Sequence, residues 1–295
     1  MKKLGLATAL LLAITGAQAY QFEVQGQSEY IDNTVNDKNF TGAVQGTYYF
    51  KNVDATKGPL AEAAFLNQAS NFSLAYNYGE YDVDAVDAVD KDFVSHVYGA
   101  KAEAYVPTKL VPVYASAAYS HTITDGKGGQ DNDNGDRYAL ELGAVVTPNF
   151  LVAVGYTSVA DQYSLDAFNI LANGVAKAAL ESGTIAQDQD AITARTKYVG
   201  AIDGTNMAVG FEAGLVYGED TMYNLKTDLY LTPALSVGAS YVETSADAVV
   251  DSAWGANVNY FITPAVAVGA SYVNANAVDA ARDTQTVGVN AKFRF

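Results

Sequence analysis

A proline-led strand is written three times in this sequence: Thr263-Pro264-Ala265-Val266-Ala267-Val268-Gly269-Ala270-Ser271-Tyr272, Thr232-Pro233-Ala234-Leu235-Ser236-Val237-Gly238-Ala239-Ser240-Tyr241 and, more loosely, Thr147-Pro148-Asn149-Phe150-Leu151-Val152-Ala153-Val154-Gly155-Tyr156. Proline presets a turn and donates no ladder hydrogen bond, so the strand begins directly after it. In the first copy Val266, Val268, Ala270 and Tyr272 share one face, and Ala267, Gly269 and Ser271 the other. The alternation is close to perfect from Tyr20 to Tyr30. There Tyr20, Phe22, Val24, Gly26, Ser28 and Tyr30 oppose Gln21, Glu23, Gln25, Gln27 and Glu29. A face of glutamates and glutamines needs water, whereas a face with rings at both ends suits lipid.

The same period predicts a second strand with Phe40, Val44, Tyr48 and Phe50 on one side, after a polar loop from Asp32 to Asn39. Further strands are expected at 72–81, 94–106, 113–123, 137–147, 151–159, 191–200, 207–218, 221–231, 235–243, 252–262, 266–273 and 284–295. That makes about fourteen, each near the roughly 9 to 11 residues a tilted strand needs to cross a bilayer. Short proline turns trade off with longer acidic connections such as 82–92 and 124–136, the habit of outer-membrane barrels. Residues 53–70 interrupt the rhythm with a helix-compatible piece, Pro59 to Leu66, expected on the periplasmic side with the N-terminus. The fold class is therefore all-β: a transmembrane antiparallel barrel of about fourteen strands, closed because an open edge in hydrocarbon leaves backbone groups unsatisfied.

The start of the chain supplies the address. Met1-Lys2-Lys3, an apolar run from Leu4 to Gly16 and Ala17-Gln18-Ala19 form a secretory signal peptide with a small-x-small cleavage site. Residues 1–19 are expected to be removed and residues 20–295 to form the barrel. No cysteine follows, so the chain is not a lipoprotein and holds no disulfide. Losing Lys2 and Lys3 takes the formal charge from −16 to −16 − 2 = −18, which argues against nucleic acid as a partner. With 21 tyrosines and 25 glycines, the composition fits interfacial aromatic girdles.

The signal peptide, the opening Tyr20-Gln21-Phe22-Glu23-Val24-Gln25-Gly26-Gln27, the segment Gly58-Pro59-Leu60-Ala61-Glu62-Ala63-Ala64-Phe65-Leu66-Asn67 and the terminal Phe295 resemble the Acinetobacter outer-membrane porins of about 33 to 36 kilodaltons. The resemblance covers essentially the whole chain. It implies a fourteen-stranded gated diffusion channel, with roles in carbapenem entry and host-cell contact. The C-terminal Phe295 resembles the signal that such barrels present to the barrel-assembly machinery.

Candidates for chemistry are few. A symmetric hairpin about Pro107–Pro112 is expected to place His96 opposite His121 and Tyr98 opposite Tyr119, on the lipid side, where a girdle is favoured over a metal site. The segment Asp131-Asn132-Asp133-Asn134-Gly135-Asp136 mimics a calcium loop. Its first ligand position is Gln130 and its twelfth, Glu141, falls in a strand, so a solvated hairpin tip is expected. Ser120 adjoins His121 but points to the opposite face, and no nucleophile elbow or phosphate loop is present. No catalytic residue, cofactor-binding residue or metal ligand is expected, and no enzyme activity.

Alternation assigns Glu23, Glu29, Lys101, Glu103, Arg137, Glu141, Arg195, Lys197, Glu212, Lys226, Asp228, Lys292 and Arg294 to the interior as pore-lining charges. The excursion 160–190 carries Leu165, Phe168, Leu171, Val175, Ala179 and Leu180 at helical spacing and is expected to fold into the mouth as a gate. Asp82, Asp84, Asp87, Asp90, Asp92, Asp125, Asp131, Asp133 and Asp136 are expected in outer loops that concentrate cations. The expected function is passive diffusion of small hydrophilic solutes, including amino acids and carbapenem-type antibiotics. Membrane lipid and lipopolysaccharide are its surroundings, and a monomer is preferred. The alternative is a closed barrel serving as a surface adhesin.

Overall fold

The computed structural model describes residues 19–33, 36–81, 92–126, 132–161, 164–246, 250–277 and 284–295. The signal-peptide residues 1–18, Asp82, Asp84, Asp87, Asp90, Gln130 and Asp131 lie outside them. Fourteen antiparallel strands close into one barrel: β1 (Ala19–Asn33), β2 (Asn36–Asp54), β3 (Asn71–Tyr81), β4 (Phe93–Val106), β5 (Val113–Gly126), β6 (Asp133–Thr147), β7 (Phe150–Asp161), β8 (Asp190–Ala201), β9 (Ala208–Tyr217), β10 (Thr221–Thr232), β11 (Leu235–Thr244), β12 (Val250–Thr263), β13 (Val266–Ala277) and β14 (Thr284–Arg294). Each strand pairs with its neighbour in sequence, and β14 pairs with β1 from Glu23↔Arg294 to Asn33↔Thr284. Among the described residues no helix is long and apolar enough to cross a membrane.

Outward faces carry Val24, Val44, Leu74, Leu140, Leu142 and Val154 in a band, all exposed. Rings flank it. Phe22 stacks on Phe295 at 5.7 Å and leans on Tyr48 at one end, and Tyr119–Tyr138 and Trp254–Tyr272 pair toward the other. Inward faces hold the charges. A slip of one residue would turn every one of them to lipid, at roughly 2–4 kcal/mol for each lysine or arginine near the midplane.

Four expectations are corrected. Tyr20 is inside, buried and edge-on to Tyr49, because a bulge between Tyr20 and Phe22 inverts the parity of the strand end. The β4–β5 register is set by Val106↔Val113 at the turn, so Tyr98 faces His121 and His96 faces Ile123. The two histidines are therefore not partners: His96 Nδ1 meets Tyr76 Oη at 2.9 Å, and His121 Nδ1 meets Asp136 at 2.8 Å. Strands run further than alternation suggested, so Asp125, Asp133 and Asp136 are strand residues and not loop residues. Most of the loop expected from Asp32 to Asn39 is strand, since β1 runs to Asn33 and β2 begins at Asn36.

The connection between β2 and β3 packs into the end of the barrel where the termini lie. It forms a 3-10 turn at Leu60–Glu62 and a short helix, α1 (Ala63–Leu66). Ala63 and Ala69 pack with Tyr20, Tyr49 and Val53, Phe65 with Tyr114, Leu151 and Tyr230, and Leu60 with Phe261 and Ala267. Leu60 N donates to Pro233 O at 2.8 Å, and Asn67 Nδ2 to Asp54 O at 2.8 Å. Apolar inward residues at this end of the strands receive it.

Candidate functional site

The connection between β7 and β8 turns into the barrel as two helices, α2 (Ala167–Asn173) and α3 (Val175–Thr184). Asp166 caps α2, accepting from Phe168 N at 2.8 Å. Gly174 joins the helices at φ 89°, ψ 159°, a conformation essentially reserved for glycine. Leu165, Ile170, Val175 and Ala178 pack against Ile31, Ala75 and Val97, while Leu180 and Ile185 pack against Val216, Met222, Val242 and Val273. Leu165, Val175 and Leu180 are thus buried under the wall, whereas Phe168 and Leu171 are half-buried, packed at the edge of the first cluster and bordering open space. Ala179 is exposed, because the break at Gly174 resets the helical phase and buries Ala178 in its place.

Polar groups from the wall pin this segment. Leu165 N donates to Thr122 Oγ1 (3.0 Å), Ala167 N to Ser120 Oγ (3.2 Å) and Val175 N to Glu29 Oε2 (2.8 Å). Thr184 and Thr244 share a hydroxyl bond of 2.6 Å, Arg137 pairs with Glu181, and Lys177 Nζ donates to Ser240 Oγ. Each bond comes from an inward side chain, so docking also satisfies groups that the folded-in loop would otherwise bury unpaired.

Three cavities of about 310, 260 and 290 Å³ adjoin the segment, the first and third mainly polar and the second of mixed lining. All three are lined by Ala172, at the tip where α2 ends. Ten of the charged residues assigned inward line them: Glu23, Lys101, Glu103, Glu141, Arg195, Lys197, Glu212, Lys226, Asp228 and Lys292. Most are paired. Arg195 grips Glu141 in a fork (3.2 and 2.9 Å) and reaches Glu212 at 3.7 Å, and Lys197 lies between Glu212 (3.6 Å) and Glu62 (3.0 Å). Lys101 pairs with Glu103 at 3.3 Å, and Lys292 with Glu23 at 3.1 Å. Burial opposes ionisation of Glu62, but Lys197 and the Tyr230 hydroxyl hold its carboxyl below the usual carboxylate range.

Glu29, Arg137 and Arg294 line none of the three. Glu29 and Arg137 are sealed under α3. Arg294 is clamped between Glu23 (2.7 Å), the Leu60 carbonyl (2.8 Å) and the rings of Tyr20 and Phe261. Their roles in this structure are to hold elements together. Among the described residues no group of three or more His, Asp or Glu side chains is placed to hold a metal ion.

A family model described as "Putative general bacterial porin" matches residues 1–295. The chain belongs to this porin family. Outer membrane protein Omp33 of Acinetobacter baumannii, known from a crystal structure, is 54% identical, with a TM-score of 0.69 over 94% of this chain and 99% of that one. The monoaromatic hydrocarbon channel CymD (TM-score 0.59, 9% identity, 94% of this chain and 89% of that one) and the Ralstonia pickettii toluene transporter TbuX (0.56, 8%, 95% and 90%) share the fold. No curated protein sequence matches. The resemblance to Acinetobacter porins, the barrel and the bacterial outer-membrane location are borne out.

In this porin, sequence reasoning missed Ala172, Ser240 and Thr122, small residues that shape the interior. A lone alanine or serine on a strand or helix carries no signal of what faces it. Only the long-range contacts of the folded-in segment reveal these roles.

Proposed function

We propose that this porin is a passive, loop-gated diffusion channel for small hydrophilic solutes and performs no catalysis. The observation that carries the reading is the segment 164–189 folded between the barrel wall and three charged cavities, with Ala172 where they meet. Walls bearing both signs of charge suit polar and zwitterionic solutes such as amino acids and carbapenem-type antibiotics, and disfavour apolar ones. The gate is the docked pair α2–α3 with Leu165, Phe168, Leu171, Val175 and Leu180, and the ten cavity-lining charges are the selective surface. Deleting residues 165–180 and recording single channels in a planar bilayer tests this. Conductance should rise, and an unchanged conductance rejects the gate. A barrel that gives no steps at all would instead be the surface adhesin. Cleavage after Ala19, recognition of Phe295 by the barrel-assembly machinery, contact with lipopolysaccharide and a monomeric state belong to the same proposal.

A further inference from the structure

Six basic side chains of the interior have a carboxylate within ion-pair reach: Lys101, Arg137, Arg195, Lys197, Lys292 and Arg294. Lys177 and Lys226 differ. Both line the cavities of about 310 and 260 Å³, and among the described residues neither forms an ion pair. Among the described residues the Lys177 ammonium hydrogen-bonds only to the hydroxyl of Ser240, the residue paired in register with Lys226 across β10–β11. Gly255 on β12 stands beside them, and a Cβ there would come within 3.2 Å of the Lys177 ammonium. Of the nearby carboxylates, Glu29 is committed to the start of α3 and Glu212 to Arg195 and Lys197, while Asp228 stays outside ion-pair distance. Lys177 is buried and Lys226 half-buried, their charges repel, and among the described residues no carboxylate lies within ion-pair reach of either. Burial, and then the charge of Lys226, pull the pKa of Lys177 down to about 8.

We infer that Lys177 and Lys226 form a binding subsite for the carboxylate of a small, singly charged, hydroxylated organic anion in transit. The amides of Asn257, Asn259 and Asn290 line the rest of the cavity and suit the hydroxylated body. Asp228, which also lines it without an ion pair, sets the charge limit: two unpaired ammonium groups against one carboxylate leave room for one negative charge, and a dianion would meet Asp228. The inference rests on the channel reading and names its solute class.

Ligand-observed NMR titration of the full chain in detergent micelles tests it, with D-gluconate, D-glucose and inorganic phosphate as probes. Gluconate should bind, with glucose and phosphate each weaker by roughly tenfold or more, the worth of one charge-assisted contact. Lys177→Met and Lys226→Met should each weaken gluconate by a similar factor, and Lys226→Arg should restore it, with heat-modified gel mobility confirming the barrel in every variant. Gluconate that does not bind, that binds the methionine variants unchanged, or that binds no better than glucose or phosphate overturns the subsite. Single-channel recording in potassium chloride on the same preparation separates the failures. Conductance steps without gluconate binding sink the subsite and leave the channel standing, whereas absent steps sink the channel reading on which it rests.

Discussion

Lys177 is the only basic residue of the segment 164–189, and if the segment gates as proposed, its chemistry should make docking depend on pH. Docked, its pKa lies near 8 because burial and Lys226 disfavour the charged form; released into water it returns toward the usual lysine value. The released state therefore binds the extra proton between those values, and docking strengthens as pH rises through about 8 toward the ordinary lysine range. Open probability in single-channel records should fall over that interval, and Lys177→Met should flatten the response. A wild-type channel with a flat profile there would remove Lys177 from the gate. Ala172 gives a second test at the same scale. It lines all three cavities, so Ala172→Trp should cut conductance severely while Ala172→Ser leaves it nearly unchanged. Equal conductance in the two variants would mean that ions bypass the tip. Neither residue could be singled out from sequence, since an alanine and a lysine on an amphipathic loop look like any others until their neighbours are known.

At the scale of elements, the strands were legible because lipid and water on opposite faces enforce a period of two along each of them. What alternation could not show is where that period breaks. The bulge beside Tyr20 moves a ring from the outside to the inside, and the register of β4–β5 follows from how Val106 and Val113 close the turn. The stretch 53–70 read as a helix-compatible interruption, but its packing against β5, β7, β10 and β12 depends on residues distant in sequence. The α2–α3 joint makes the sharpest prediction here. Gly174 sits in a glycine-only conformation, and a Cβ there would meet Glu29 Oε1 at 2.7 Å, the carboxylate that holds α3 through Val175. Gly174→Ala should destabilise the docked pair by about 1–3 kcal/mol, shifting the docked-to-open ratio by roughly 5- to 150-fold toward open. Bilayer recordings would show longer open times, and unchanged gating would mean that α3 is not the moving part.

For the whole molecule, closure and charge distribution govern what enters. Phe295 N donates to Phe22 O at 2.9 Å while Phe295 O accepts from Gln21 and Phe22, so the last residue seals the seam between β1 and β14. The thirteen inward charges nearly cancel, six acids (Glu23, Glu29, Glu103, Glu141, Glu212, Asp228) against seven bases, yet the chain carries −16. The inward charges therefore do not account for the excess. Among the described residues Asp125, Asp133, Asp136, Asp188, Glu219 and Glu243 stand at the end with the longer connections, and Lys51, Lys57 and Lys109 at the other. Such a field draws cations to one mouth over a screening length of about 30 Å at 0.01 M salt and about 3 Å at 1 M. The reversal potential in a potassium chloride gradient should thus show cation preference at low salt that fades near 1 M. A lumen contact between Lys177, Lys226 and a carboxylate acts at touching distance, where salt screens far less, so gluconate binding should survive conditions that abolish the cation preference. Loss of both at the same salt concentration would place them in one diffuse field rather than at a mouth and a subsite.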